Sequence, residues 1–238
     1  MELKDMIYRR KSVRSYTKAP VDGETVRKIS EFPLKPLYPD IRVHSEIISS
    51  ESVRCILPWT TEQVIAIFSE ETDGALENAG FMYQQLDLYI QSLGLGSCWL
   101  GMGRLDSKLK SKDDLSFVIM IAFGYPKSDP KRKSTSEFKR KALSDISDIS
   151  DERLEPARLA PSSVNSQPWY FTHNGDTVNA YCALSGIFRK KTPLTINLVD
   201  MGIALAHLYV TNEDTFRFFR EKAPAAVKNY KYIGSFSL

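Results

Sequence analysis

Residues 160–169 read Ala-Pro-Ser-Ser-Val-Asn-Ser-Gln-Pro-Trp, two prolines bracketing three serines and an Asn/Gln pair. Proline fixes φ and removes a backbone donor, and Ser and Asn side chains bond to nearby backbone. Pro161, Ser162, Ser163, Asn165 and Gln167 therefore suit a stiff loop offering hydroxyls and amides to a flat ligand with polar edges. An ordinary proline-stiffened loop has the same composition. A second chemistry-bearing group lies near the start, where Arg10, Lys11 and Arg14 stand among Ser12 and Ser15. Arg binds phosphate through two parallel bonds and a serine hydroxyl adds a short donor, although a solvated basic helix end looks alike. The third is Gly94-Leu-Gly-Ser-Cys-Trp-Leu100-Gly101. Glycine lets backbone approach a partner closely, and Gly-x-Gly is also an ordinary turn.

The residue inventory excludes other chemistries. The three cysteines, Cys55, Cys98 and Cys182, are odd in number and widely spaced, and the three histidines are equally scattered. That fits neither a disulfide framework nor a zinc site, so no metal is expected. Cys98, beside a tryptophan, reads as a small buried hydrophobe rather than a nucleophile. A net charge of +3 is too small to demand nucleic acid as partner. No amino-terminal stretch resembles a signal peptide and no run of ~20 apolar residues could span a bilayer. With 42% hydrophobic and 26% charged residues, the expectation is a cytoplasmic protein with no membrane contact.

The elements that must position these groups follow from periodicity. Leu3, Met6 and Ile7 suggest a helix over residues 1–10, and residues 21–32 read as a short amphipathic helix. Strands are expected near 41–49 and 63–69. From Gly74 to Leu93, apolar residues at helical spacing make the strongest helix, which Gly94 stops. Residues 117–123 form a continuous apolar run, read as a strand buried on both faces. A polar, basic connection fills 127–150, its plainest reading a solvated linker. Residues 151–160 look helical, a strand pair turns about 173–176, and 197–210 form a further helix.

Three stretches together resemble the nitroreductase family of FMN-dependent, NAD(P)H-using oxidoreductases: residues 160–169, residues 9–16 and residues 94–101. The resemblance implies an α+β fold of central mixed sheets flanked by helices. It implies that Arg10, Lys11 and Ser12 take the FMN phosphate end and that Arg14 stabilises charge on the reduced ring. Backbone near Leu100 and Gly101 would face the flavin N5, so no side chain is catalytic. Arg140-Lys141, followed by Ala-Leu-Ser-Asp, fits the family's basic pair on the far side of the phosphate better than residues 131–133 do. The serine loop, with Pro161, Ser162, Ser163, Asn165 and Gln167, would reach the ring.

In the family as usually found, one chain carries all three motifs and two chains share each site. Here residues 33–40, proline-rich, stand where the first serine loop would be, and the second half lacks the basic and glycine motifs. The resemblance thus points to a subgroup in which two subunits are fused, internally duplicated so that one chain mimics the homodimer around a single FMN. The expected division is 1–130 for a first nitroreductase-like half, 131–150 for a basic linker and 151–238 for a shorter second half. The implied reaction is two-electron ping-pong reduction of a small-molecule acceptor, nitroaromatic, quinone or similar, by NADH or NADPH. Dehalogenation, ene reduction or azoline oxidation on the same fold, or flavin binding without turnover, are the alternatives.

Overall fold

The computed structural model describes residues 2–54, 61–106, 109, 111–184, 194–222 and 224–238, so Cys55 lies outside the described residues. The first helix, α1 (Leu3–Ile7), is shorter than its apolar spacing predicts and ends before the basic cluster. In α2 (Gly23–Ser30), the Asp22 side chain accepts from the Thr25 amide and caps the first turn. Next come β1 (Val43–Ser49), β2 (Val53–Arg54), β3 (Gln63–Ser69), α3 (Ala75–Ser92), β4 (Gly96–Trp99), β5 (Arg104–Leu105), β6 (Ser111–Lys112) and β7 (Leu115–Gly124). The remainder comprises α4 (Leu143–Ile146), α5 (Glu155–Arg158), β8 (Trp169–Asn174), β9 (Thr177–Ala183), α6 (Leu194–Thr211), β10 (Arg217–Phe219) and β11 (Tyr230–Ser237).

Two antiparallel sheets dominate. One runs β1-β3-β7-β4, with β6 also pairing β7, and the other runs β8-β9-β11-β10. Each begins with an adjacent strand pair, crosses over through a long helix, and returns with its last strand inserted beside the second. The β8–β9 pair turns at Asn174↔Thr177, where Gly175 takes φ +60°. The apolar run in β7 explains its central place between β3 and β4. The short β10 and the β11 tail carry no strong alternation and were not foreseen.

The two crossover helices, α3 and α6, pack directly on one another. A Cβ on Gly80 would lie 2.1 Å from the Val199 carbonyl oxygen, and one on Gly202 would lie 2.0 Å from that of Glu77. Backbone meets backbone there, which only glycine permits. The contact is reciprocal: each glycine touches the residue three positions before the other, the pattern of a two-fold interface. A single apolar cluster continues through it, from Ile65, Ile121 and Phe123 by Ala79 and Leu86 to Leu205, Phe171 and Ile233.

The basic connection is not a solvated tether. Phe138 and Ile146 are buried, Lys131 bridges to Arg10 and Ser147 bridges to Phe171. Its charged residues pack because an aromatic and an aliphatic side chain anchor it. Among the described residues, no helix is long and apolar enough to cross a membrane.

Candidate functional site

Arg10 follows α1 and enters the core, only 1% exposed. Its Nε donates to Asp87 Oδ2 on α3 at 2.9 Å. A buried cation needs such a partner, because desolvation of an unpaired charge costs several kcal/mol. Asp87 is itself held: Ser97 Oγ donates to Oδ1 at 2.6 Å and Gln84 Nε2 to Oδ2 at 3.1 Å. Gln84 reaches both Trp99 Nε1 and His207 Nε2, and Gln91 Nε2 donates to Ser97 Oγ. Burial pushes the His207 imidazole down to about 3, with Arg10 and Arg140 adding to the shift against the Pro156 carbonyl bonded to Nδ1. The network thus uses a neutral histidine and fixes the Arg10 guanidinium rigidly. Arg10 Nη2 is nevertheless buried without a hydrogen-bond partner.

Two more guanidinium groups gather near it. Arg132 Nη1 donates to the Arg10 carbonyl, and its guanidinium lies 4.2 Å over the Phe138 ring. Arg140 lies 5.6 Å over the same ring. Burial lowers Arg140 to about 10, aided by the charges of Arg10, Arg132 and Arg158, and burial followed by Arg10 lowers Arg132. Mutual repulsion among one buried and two half-buried cations marks a place that favours an anion. Around it, Lys11 presents its backbone amide to Gln91 Oε1, while Ser12 pairs with Ser97 in a parallel bridge. Arg14 is exposed, and its charge is felt at Cys98, whose thiol is pushed up by burial. A thiol so raised is no nucleophile at neutral pH.

The serine loop carries strained backbone. Val164, Asn165 and Gln167 take φ of 47°, 57° and 48°, each costing about 1–3 kcal/mol outside glycine. The surroundings over-determine these conformations. Arg140 donates from Nε to Ala160 O, from Nη2 to Leu159 O and from Nη1 to Asn165 Oδ1. Asn165 Nδ2 donates to Lys139 O, and the Lys141 amide and Nζ donate to Gln167 Oε1 and O. The Gln167 amide donates to Ser162 Oγ at 2.9 Å and Gln167 Nε2 to Asn165 O. The side chains of Asn165 and Gln167, read from sequence as offered outward, are thus engaged in shaping the loop. Pro161 is buried beneath it.

From the other side, the Ser163 amide donates to both carboxylate oxygens of Asp200 on α6, each at 3.1 Å. Ser163 itself turns towards the glycine segment: a Cβ on Gly101 would lie 3.8 Å from Ser163 Oγ and 2.5 Å from Ile196 Cδ1. Leu100 is buried, its amide bonded to the Met120 carbonyl, whereas Gly101 is exposed. Residues some sixty positions apart therefore face one another, with the arginine cluster linked to the same loop through Arg140. Asp87, Gln84 and Asp200 carry no site reading from sequence, and Arg132, which sequence sets behind Arg140, joins the same cluster. Asp87 and Gln84 sit within a helix whose apolar spacing suggests only core, and their one signal is polarity among those core positions.

Residues 2–212 match the family model described as Putative TM nitroreductase. Among solved structures, a putative nitroreductase from Thermotoga maritima MSB8 is 19% identical with a TM-score of 0.65, the match covering 99% of this chain and 92% of that one. A nitroreductase family protein from Clostridium difficile 630 is 16% identical with a TM-score of 0.50, over 64% of this chain and 98% of that one. An FMN-dependent nitroreductase from Clostridium difficile R20291 is 20% identical with a TM-score of 0.46, over 58% and 92%. No curated protein matches the sequence.

Proposed function

The chain belongs to the family described as Putative TM nitroreductase, and from that premise we propose that it is an FMN-dependent NAD(P)H oxidoreductase with one cofactor site per chain. The observation that carries the reading is Arg10 Nη2, a fixed, buried and unpartnered donor beside two further arginines. Its chemistry fits a phosphate, which a charge-assisted bond from a guanidinium recognises well. Arg10, Lys11 and Ser12 would hold that phosphate, with Arg132 and Arg140 supplying field from the opposite side. Ser163 and the backbone at Leu100 and Gly101 would border the ring, Arg14 would offset negative charge on it, and the loop set by Pro161, Ser162, Asn165 and Gln167 would keep its stiffness. Bound there, FMN would supply the redox chemistry, two-electron transfer between NADH or NADPH and a nitroaromatic, quinone or similar acceptor. The protein's part is to bind, orient and limit water.

The pseudo-dimer belongs to the same proposal. The repeated strand order and the reciprocal glycine contact of α3 and α6 support an internally duplicated chain. Residues 1–130 would form one half, 131–150 a connection and 151–238 the other, with the chain working as a monomer in the cytoplasm. The test is to titrate the flavin-loaded protein with NADH and NADPH under argon after measuring FMN per chain. Bleaching at a ratio near one FMN is expected. A protein that binds no FMN, or binds it without bleaching, overturns the respective half of the reading.

A further inference from the structure

Asp200 is a buried carboxylate bonded by the backbone amide of Ser163 in the serine loop. It lies within α6, away from either end, so it caps no turn of its own helix. It reaches sideways to Ser163, which donates to both its oxygens. The other half offers a built-in comparison. Asn78, on α3 and two residues before Gly80, accepts the amides of Leu37 and Tyr38 on Oδ1 at 2.8 and 3.0 Å. Asp200 likewise stands two residues before Gly202. Each crossover helix thus holds the loop of its own half from the same position, one through an amide and one through a carboxyl.

We infer that Asp200 is a positioning residue that fixes the serine loop against the glycine segment, holding Ser163 in the place from which it borders the cofactor. The inference rests on the flavin reading for what the loop borders, but not for the clamp itself. Other holds on the loop come from the basic connection, from the loop itself and from β9: Arg140 at Asn165, Lys141 at Gln167, Ser162 at Gln167 and the Ala183 amide at the Pro168 carbonyl. Asp200 ties it to α6, the helix that also carries Ile196, the residue packed against Gly101. That common support sets the separation of loop and glycine segment. Burial pushes the Asp200 carboxyl up to about 8 against the pull of the Ser163 amide. A neutral acceptor therefore serves at this position, as Asn78 already shows in the other half. Cys182 is a titratable neighbour, its thiol pushed up by burial first and then by Glu77 and Asp200.

The test uses the full chain, stripped of flavin, as parent, Asp200→Leu and Asp200→Asn. Hydrogen exchange at the Ser163 amide reads the clamp without cofactor, and titration with FMN and riboflavin reads its consequence. Asp200→Leu should exchange Ser163 at least about tenfold faster and bind both flavins about tenfold more weakly, the loss of one charge-assisted or buried bond. Asp200→Asn should restore both to within about threefold, which a purely structural role for the charge would not do. If Asp200→Leu does not fold, Asp200→Ala carries the same expectation. Unchanged Ser163 exchange in the apolar variant, or equal damage in Asp200→Asn, overturns the inference. A parent chain that binds neither flavin sinks the functional reading instead, and the exchange measurement still decides the clamp.

Discussion

Each of the two long helices, α3 and α6, holds a loop, and the two loops meet different neighbours. In the first half, Asn78 and Gln85 hold residues 35–38. The cleft in front is then filled: Arg220, directly after β10, lies 5.0 Å over the Tyr38 ring, donates to its hydroxyl and pairs with Asp73 at 2.5 Å. Lys231 closes on Asp73 as well, at 3.1 Å. In the second half, Asp200 holds the serine loop and His207 holds the Pro156 carbonyl. Opposite that loop, directly after β4, stand Leu100 and then Gly101, against which Ile196 of α6 packs. The two loops thus meet different neighbours, an aromatic–guanidinium pair before residues 35–38 and a glycine beside Ser163.

The sharpest way to break the comparison is at its axis. Gly80→Val and Gly202→Val each drive a Cβ into a helix backbone at about 2 Å, where no side chain can give way. Both should cost several kcal/mol, above the roughly 1–3 kcal/mol usual for overpacking, and by similar amounts because the contact is reciprocal. Urea denaturation measures this; a variant at only one glycine that unfolds would show that the two helices do not share the crossing equally.

The next largest effect concerns the unlike clamps. In the folded chain Asp200 keeps its proton up to about 8, against 3.8 for a free aspartic acid. Folding then binds the proton more tightly than unfolding does between those values. Stability from the neutral form is full below about pH 4 and is lost as pH rises to about 8. Asp200→Asn cannot ionise, so its stability relative to the parent should grow across that window by on the order of a few kcal/mol and then level. Denaturation midpoints at several pH values test this, and a constant difference would show that Asp200 does not titrate in the fold.

Much of this architecture was legible in the sequence because it obeys periodicity. The long α3, the β3 and β7 strands and the β8–β9 turn follow from spacing and from the Gly175 turn. Resemblance of three motifs led to the family, and the structure brings two of them, Gly101 and Ser163, face to face. What stayed hidden was polar. Asp87 and Gln84 look like interruptions of a core face, and only tertiary contact shows that they carry Arg10. Asn165 and Gln167 have the right types for a ligand, yet left-handed backbone around them turns their amides inward. The buried Phe138 shows why the basic connection packs, a consequence one aromatic among many charges does not announce.

The third prediction compares the two arginines. Arg10→Lys keeps a cation for Asp87 and removes the free Nη2, so FMN should bind about tenfold more weakly while riboflavin, lacking phosphate, is unaffected. Equal weakening of both flavins in a competition titration would assign Arg10 to the fold alone.

The smallest effect is expected across the molecule, at Arg220. Its pair with Asp73 is exposed, 36% and 62% for the two side chains, so Arg220→Met should cost no more than about 1 kcal/mol, the usual limit for surface ion pairs. The stack on Tyr38 adds about 0.5–1 kcal/mol at an exposed site. FMN content per chain should stay the same, even when Arg220→Met is combined with Tyr38→Ser to clear the gap. The reason lies deeper than the plug. Where α3 carries Asp87, with Arg10 fixed upon it, the matching place on α6 carries Tyr209, packed against Phe81 and Phe216. An aromatic cluster there fixes no guanidinium for a phosphate, so clearing the side chains leaves no counterpart of Arg10. A flavin-to-protein ratio that rises towards two in the double variant would mean that side-chain filling alone separates the halves.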